Sequence, residues 1–555
     1  MPELTLPVLL RRATAEYPLL GIYYFQEDCS MVFQSYPELL RESTSFACGL
    51  EFIGLKAGDK AIIATESNKE TITLLWTCFL AGIVPTILQP PVSFNVQNAS
   101  NSKFTNVFRQ LGKPFVFTSH PMECGDADLS KSIIPFKEIP KSEGQISFEP
   151  AIDDLAFIQF SSGSTGDPKG IMLTHRNIFY NMESIAQGLD LQPNDPVGNW
   201  MPLYHDMGLI GYHLTPISCP SSQFHILTID YIKNPALWPE MMSRCKITIT
   251  GCPNFGQELL IRYLKRRPDG HNWDLSPLKA LLNGAEPISV KVMTEFNHAL
   301  KPFGFREEAM MPVYGMAEAT LAISFTPLMK PSVVTAFESS EMDKNQKAIP
   351  VRTNLAARHS RVITAVGIAL KHIEIRITDQ NDELLLDGNV GHVQVKGYSI
   401  TKGYYNNPTA THDLFVGEWL RTGDMGFIFE GNLYISGRYK DIIFVNGKNY
   451  FANDLEVLAC NLDEFSFGKI IIGGLTDFKT GKEKVLVFAA AIPEAKAPEI
   501  LEKLRALMRK DLGIPIDELI LIKSNEIPKT SSGKIQRYKV IQRYKQGDFS
   551  ESRFK

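Results

Sequence analysis

The stretch Leu155-Ala156-Phe157-Ile158-Gln159-Phe160-Ser161-Ser162-Gly163-Ser164-Thr165-Gly166-Asp167-Pro168-Lys169-Gly170-Ile171-Met172-Leu173 sets the frame for the whole chain. Its apolar flanks, 155–160 and 170–173, predict two strands. Between them lie small, hydroxyl-bearing and glycine residues, with one lysine, Lys169, near the end. Glycine has no Cβ to hold a ligand off, so such a loop brings backbone N–H groups and hydroxyls against phosphate oxygens. It is not a GxxxxGK[ST] loop, because Gly170 follows Lys169 and no glycine directly precedes it. The strand–loop–strand setting also differs from the strand–loop–helix cradle of that motif. An ordinary Ser/Gly hairpin uses the same residues, so the loop needs support from elsewhere in the chain.

Upstream of the loop, helix and strand signals alternate. Residues 39–52 read as a helix, 55–59 as a turn and 61–65 as a strand; 71–82 is helical again, 84–88 extended and 115–117 a short strand. Repeated βα units with apolar strands predict sheets covered by helices on both faces. Just downstream, 175–188 reads as a helix capped by Thr174. Residues 340–361 break the pattern with a polar run and three arginines, and are expected to form an inserted surface element or a plain loop. A domain boundary is expected near Gly437-Arg438-Tyr439-Lys440-Asp441. Beyond it come strands at 469–472 and 485–492 and an amphipathic helix over 498–512, enough for a small α+β domain. The chain is thus divided, across residues 438–441, into a large unit, 1–437, and a small unit, 442–555. The last 33 residues carry nine Lys/Arg against three Asp/Glu.

A length of 555 residues exceeds what a single core supports, and 44% hydrophobic with 21% charged residues is the balance of a soluble multidomain protein. A net charge of −4 argues against nucleic acid as the main partner. The eight cysteines form no CxxC pair or zinc-type spacing and are expected to be free thiols of a reducing compartment. Met1-Pro2-Glu3-Leu4-Thr5 shows no basic segment leading into an apolar run, so no signal peptide is expected. The apolar stretch 72–88 is broken by Thr73, Thr77, Gly82 and Pro85 and is no membrane span. A cytoplasmic, multi-lobed enzyme is expected.

Five clusters follow the loop in a fixed order. Pro202-Leu203-Tyr204-His205-Asp206-Met207-Gly208-Leu209 comes first, then Asn283-Gly284-Ala285-Glu286-Pro287. Pro312-Val313-Tyr314-Gly315-Met316-Ala317-Glu318-Ala319-Thr320 is third. Glu418-Trp419-Leu420-Arg421-Thr422-Gly423-Asp424 leads into the boundary segment, and Pro528-Lys529-Thr530-Ser531-Ser532-Gly533-Lys534 closes the set. Together with the loop they resemble the adenylate-forming superfamily of acyl-CoA synthetases, nonribosomal adenylation domains and luciferases, over residues 5–540. Within it, the sequences at 159–166, 205–209 and 447–456 are similar to the fatty acyl-AMP ligase branch, which carries an extra element near 340–361. One departure stands out. Where the superfamily often has Tyr-Gly-x-Thr-Glu, this chain has Tyr314-Gly315-Met316-Ala317-Glu318, and one hydroxyl contact is lost.

The resemblance implies a large domain of βαβ-type sheets with a β-barrel-like subdomain, and a small mobile C-terminal domain. It implies ATP and Mg2+ as cofactors, a fatty acid as substrate and a separate holo-acyl carrier protein as partner, of a polyketide or nonribosomal type of pathway. An acyl-CoA synthetase, or a binding protein without turnover, remain the alternatives. Lys534 is implied to bridge carboxylate and α-phosphate, Glu318 to hold Mg2+, and His205 to stand where the acyl pocket begins. Ser161, Ser162, Gly163, Ser164, Thr165, Gly166 and Lys169 are implied to grip the phosphates. Gly284, Ala285, Glu286, Tyr314, Gly315 and Met316 would surround adenine, Asp424 and Arg438 the ribose, and Lys440 would be the pivot. Ile210, Tyr212, Asn254 and Phe255 are expected with His205 along the acyl pocket. The basic tail, with Arg262, Lys265, Arg266 and Arg267, is expected to help dock an acidic carrier.

Overall fold

A computed structural model of the chain describes residues 3–91, 94, 99–161, 168–193, 195–351, 360–445, 448–466, 468–477, 482–512, 514–529, 535–549 and 552–554. Among these, the strands Leu155–Phe160 and Gly170–Thr174 form the antiparallel pair expected on either side of the loop. The pairing runs past the strand ends: Ser161 N donates to Lys169 O at 2.9 Å and Lys169 N to Ser161 Oγ at 3.3 Å. Residues 162–167, which hold most of the proposed phosphate-gripping residues, lie outside the described residues.

The main sheet has nine described strands. Its centre is parallel, in the order Met310–Gly315, Ala280–Asn283, Ile249–Gly251, Val197–Asn199, Gln223–Ile226 and Gly21–Phe25. Antiparallel strands close both edges. A second sheet, Val84–Ile87, Lys60–Ala64, Phe115–Thr118 and Ile133–Pro135, is parallel throughout. Parallel strands need covered faces, and the helices Tyr36–Gly49, Asn68–Ala81 and His175–Gly188 supply cover, each burying an apolar face.

The helix His175–Gly188 starts where the sequence predicted. Thr174 and Asn177 cap it reciprocally, each side chain taking the other's backbone N–H. One turn on, Asn181 is fully buried, donates to Ala322 O at 2.9 Å and accepts from Ala322 N at 3.1 Å. That amide bolts the helix to the turn at 317–322, which carries Glu318.

The strands Ile373–Thr378, Gly391–Gly397, Phe415–Val416, Trp419–Phe429 and Asn432–Arg438 build an antiparallel sheet. After it the hydrophobic packing changes. Most buried apolar residues from Ile443 onward form two clusters separate from the large one that ends at Leu433, while Phe451 packs with Phe337, Phe427 and Tyr434 in a smaller cluster that bridges the boundary. The expected helix appears as Ala497–Leu512, burying Ile500, Leu501, Leu504 and Met508 against the sheet Ile470–Asp477, Lys482–Ala490, Glu518–Ile522 and Arg553–Phe554. No described helix is long and apolar enough to cross a membrane.

The segment expected as a surface insertion is more deeply tied in than its polarity suggested. Residues 352–359 lie outside the described residues. The flanks, however, form a strand pair, Val334–Glu338 with Ser360–Thr364, and a short helix, Ser339–Asn345, in which Met342 and Asp343 are buried. Arg361 is the reason: its side chain is only 9% exposed, with Nη2 2.9 Å from Asp343 Oδ1 and Nε 2.9 Å from Asp454 Oδ2. A guanidinium leaves water at this depth only when carboxylates surround it, and Asp454 belongs to the C-terminal unit.

Candidate active site

One cleft of about 2110 Å³ opens at the C-terminal ends of the parallel strands and runs on to the boundary between the two units. Crevices of this kind sit where parallel strands end and chain direction switches. The strand Ala280–Asn283 delivers Ala285 and Glu286 to it, and Met310–Gly315 delivers Tyr314 and Met316. Ala285 is held at φ +68°, a backbone setting uncommon without glycine and usually kept where a site needs it. Gly315 has no room for anything larger, since a Cβ there would lie 1.9 Å from Leu321 O.

Tyr314 donates its hydroxyl to Asp424 Oδ2 at 2.6 Å. Burial and the Asp424 charge both push the Tyr314 phenol well above its ordinary value, so it stays a donor. Asp424 and Arg438 are cross-strand partners in the antiparallel sheet, and Arg438 Nε approaches Asp424 Oδ1 to 3.4 Å. Asp424 N is itself held by Thr422 Oγ1 at 3.1 Å. The ring of Tyr314, the carboxylate of Asp424 and the half-exposed guanidinium of Arg438 thus form one rigid corner. A carboxylate that only accepts suits a vicinal diol, and an aromatic face suits a planar base.

Glu318, which also lines the cleft, sits on the one-turn helix Ala317–Ala319. Its Oε1 accepts from Tyr404 OH at 2.8 Å, and burial raises its carboxyl above the usual range against that hydrogen bond. Tyr404 comes from a segment that pairs with the strand after the loop, through Met172 N to Gly403 O and Tyr405 N to Gly170 O. Its ring also lies 4.8 Å from Lys169 Nζ. One tyrosine therefore joins Glu318 to the end of the loop. Nothing in its local sequence, Gly403-Tyr404-Tyr405, announces this, because both partners arrive from distant chain.

His205 and Asp206 lead into a π-helical segment, Met207–Leu214, a geometry frequent at functional sites. His205 Nδ1 lies 2.7 Å from Asp206 Oδ1, and Met207 N points at both. Tyr212 and Phe255 line the cleft with them, while Ile210 and Asn254 are fully buried. Asn254 spends its amide on Pro287 O and Ser289 N, which fixes the turn after Glu286. Glu286 Oε1 accepts from Phe255 N at 2.8 Å, binding the start of helix Asn254–Arg266. Gly284 packs against Val313. Lys440 is exposed in the single turn Tyr439–Asp441. The next residue, Asp441, takes 2.7 Å bonding from Arg537, which also holds the buried Glu456 at 2.7 Å. Lys534 lies outside the described residues.

A model of the AMP-binding enzyme family matches residues 23–405. The chain belongs to that family. It is similar to a putative acyl-CoA synthetase of Caulobacter vibrioides, at 29% identity over 93% of this chain and 91% of that protein. It is also similar to a medium-chain-fatty-acid–[acyl-carrier-protein] ligase of Teredinibacter turnerae, at 29% identity over 75% of this chain and 70% of that one. A solved structure from work on fatty acyl-adenylate ligases of E. coli and L. pneumophila superimposes with a TM-score of 0.88 at 27% identity, covering 99% of both chains. The family match spans the loop, Glu318 and Tyr404, and stops short of Asp424, Arg438 and the C-terminal unit.

Among the described residues, no group of three or more His, Cys, Asp or Glu is placed to hold a metal ion by itself. Glu318 alone nonetheless fits a hard dication that draws its other ligands from phosphate and water. A dication beside that buried carboxyl would favour its ionised form and offset the burial that raises it.

Proposed function

We propose that the chain activates a medium- or long-chain fatty acid with ATP and passes the acyl group to the phosphopantetheine thiol of a separate acyl carrier protein. The observation that carries this reading is the shared cleft: the Tyr314–Asp424–Arg438 corner and the Glu318–Tyr404 pair line one crevice. The names of similar proteins support the substrate and the acceptor.

In the first step a carboxylate oxygen attacks the α-phosphorus of ATP, the α–β anhydride bond breaks, and pyrophosphate leaves. Tyr314, with Gly284, Ala285, Gly315 and Met316 around it, holds adenine, and Asp424 with Arg438 holds the ribose. The loop at 161–169 grips the departing phosphates. Glu318 would hold Mg2+, which when bound would supply neutralisation of the phosphate charge. Lys534 bridges carboxylate and α-phosphate, and His205 stands at the acyl entrance. In the second step the unit at 442–555 turns about Lys440, and the carrier's thiol sulfur attacks the acyl carbon. The C–O bond to AMP breaks, and the thiol proton goes to solvent. All eight cysteines are free, which suits work in the reducing cytoplasm.

A CoA acceptor is the competing reading. The similarity to a medium-chain-fatty-acid–[acyl-carrier-protein] ligase favours the carrier, and the buried Arg361 tie between the 340–361 element and Asp454 must open for the turn that either acceptor needs. The test offers CoA and holo-carrier protein to the same preformed adenylate. Carrier acylation is expected to dominate, and a dominant acyl-CoA product would overturn the acceptor assignment.

A further inference from the structure

Tyr212 lines the cleft, and its hydroxyl, turned towards Gly251, has a setting that sets it apart from the other buried tyrosines. Tyr36 and Tyr231 are both fully buried, and each spends its hydroxyl on a backbone carbonyl, Ser221 O at 2.6 Å and Gly256 O at 2.8 Å. Tyr212 is 2% exposed and lines the cleft, yet its hydroxyl has no hydrogen-bond partner among the described residues. A buried donor left unpaired is costly, and phenylalanine would fill the same space without that cost. The chain also makes room for the oxygen. A Cβ on Gly251 would stand 1.8 Å from Tyr212 Oη, so glycine is required there for the hydroxyl to fit.

The polarity extends beyond one atom. Gly251 pairs in register with Leu282, and the next residue, Asn283, is fully buried with neither amide atom paired among the described residues. Beside Gly251, the Cys252 carbonyl takes the Gln257 amide N–H at 3.0 Å, while Gln257 Oε1 has no described partner. Buried polar atoms without described partners thus cluster at the end of strand Ile249–Gly251, behind the cleft wall that Tyr212 lines, and each is costly to leave unpaired.

We propose that Tyr212 is a specificity-determining residue whose hydroxyl donates to an oxygen on the acyl chain, so that the preferred acid carries a hydroxyl or keto group at that depth. This rests on the adenylating reading above. A site built to hydrogen-bond a substrate group discriminates against the analogue that lacks it.

The test is acid-dependent exchange of radiolabelled pyrophosphate into ATP, run with decanoic acid and with its monohydroxy and keto derivatives at successive carbons. For at least one position, kcat/KM for the oxygenated acid is expected to exceed that for decanoic acid by tenfold or more. In Tyr212→Phe that ratio is expected to collapse towards one, with thermal stability kept or raised because an unpaired hydroxyl is gone. A purely structural tyrosine would leave the ratio unmoved. Preference for decanoic acid over every derivative, or an unchanged ratio in Tyr212→Phe, would overturn the proposal. Exchange with no acid at all would instead sink the adenylating reading and this inference with it.

Discussion

Replacing Arg361 with glutamine should loosen one named contact and leave both cores standing. In the intact protein the guanidinium lies 2.9 Å from both Asp343 and Asp454 and 5.6 Å from the Phe451 ring centroid. Removing one partner of a fully buried ion pair costs about 3–5 kcal/mol. Asp454 keeps 28% side-chain exposure, so water repays part of that loss; about 2–3 kcal/mol is a fair expectation. At about 1.4 kcal/mol per tenfold, the open form of this contact becomes roughly 30–150 times more populated. The cost should fall on the helix Ala452–Ala459, because the large apolar cluster does not include its residues. Amide hydrogen exchange reads this directly: protection over 452–459 should drop by that factor, while the strand Lys60–Ala64 stays as protected as before. Unchanged exchange over 452–459, or a loss spread evenly over the chain, would refute the reasoning.

Glu318→Gln keeps an acceptor for Tyr404 but loses the charge; it should cut pyrophosphate exchange by about 100-fold and raise the Mg2+ needed for half-activity, with the fold intact by circular dichroism. Tyr314→Phe removes the 2.6 Å bond to Asp424, and a hydrogen bond to a carboxylate is worth about 1.5–3 kcal/mol; AMP affinity by calorimetry should fall at least about tenfold. Stability should also drop in mild acid. His213 takes Trp76 Nε1–H at 2.9 Å and shares Gln223 Oε1 with His225, whose other ring nitrogen faces Asn199. Burial lowers the two rings to about 4 and about 3 from 6.5. The unfolded chain therefore takes up protons first as pH falls, so their contribution is full above 6.5 and is lost between there and the folded values. At pH ~5 each ring costs about 2 kcal/mol, and denaturant midpoints should fall accordingly, less so in His213→Gln.

Local order was legible in the sequence, and long-range pairing was not. The cap at Thr174, the strands either side of the loop and the helix at 497–512 follow from periodicity and from residues next to one another in the chain. Ordered motifs placed Tyr314, Glu318, Asp424 and Arg438 together, and they do line one cleft. Tyr404 escaped notice because its partners lie 86 residues or more away. Charge normally means exposure, so the sequence places Arg361 at the surface; only the fold supplies Asp343 and Asp454 beside it. Glu286 lines the cleft, and its Oε1 also takes the Phe255 N–H, a bond to a helix start that the local sequence does not show because Phe255 lies 31 residues away.

The central claim is that this cleft makes an acyl-adenylate. The direct measurement incubates the purified chain with ATP, Mg2+ and a panel of medium-chain acids, plain and oxygenated, and quantifies acyl-AMP and pyrophosphate together. The account predicts both products in equal amounts, dependent on the acid and abolished in Lys534→Ala. Pyrophosphate release without acyl-AMP, or acyl-AMP undiminished in Lys534→Ala, would contradict it.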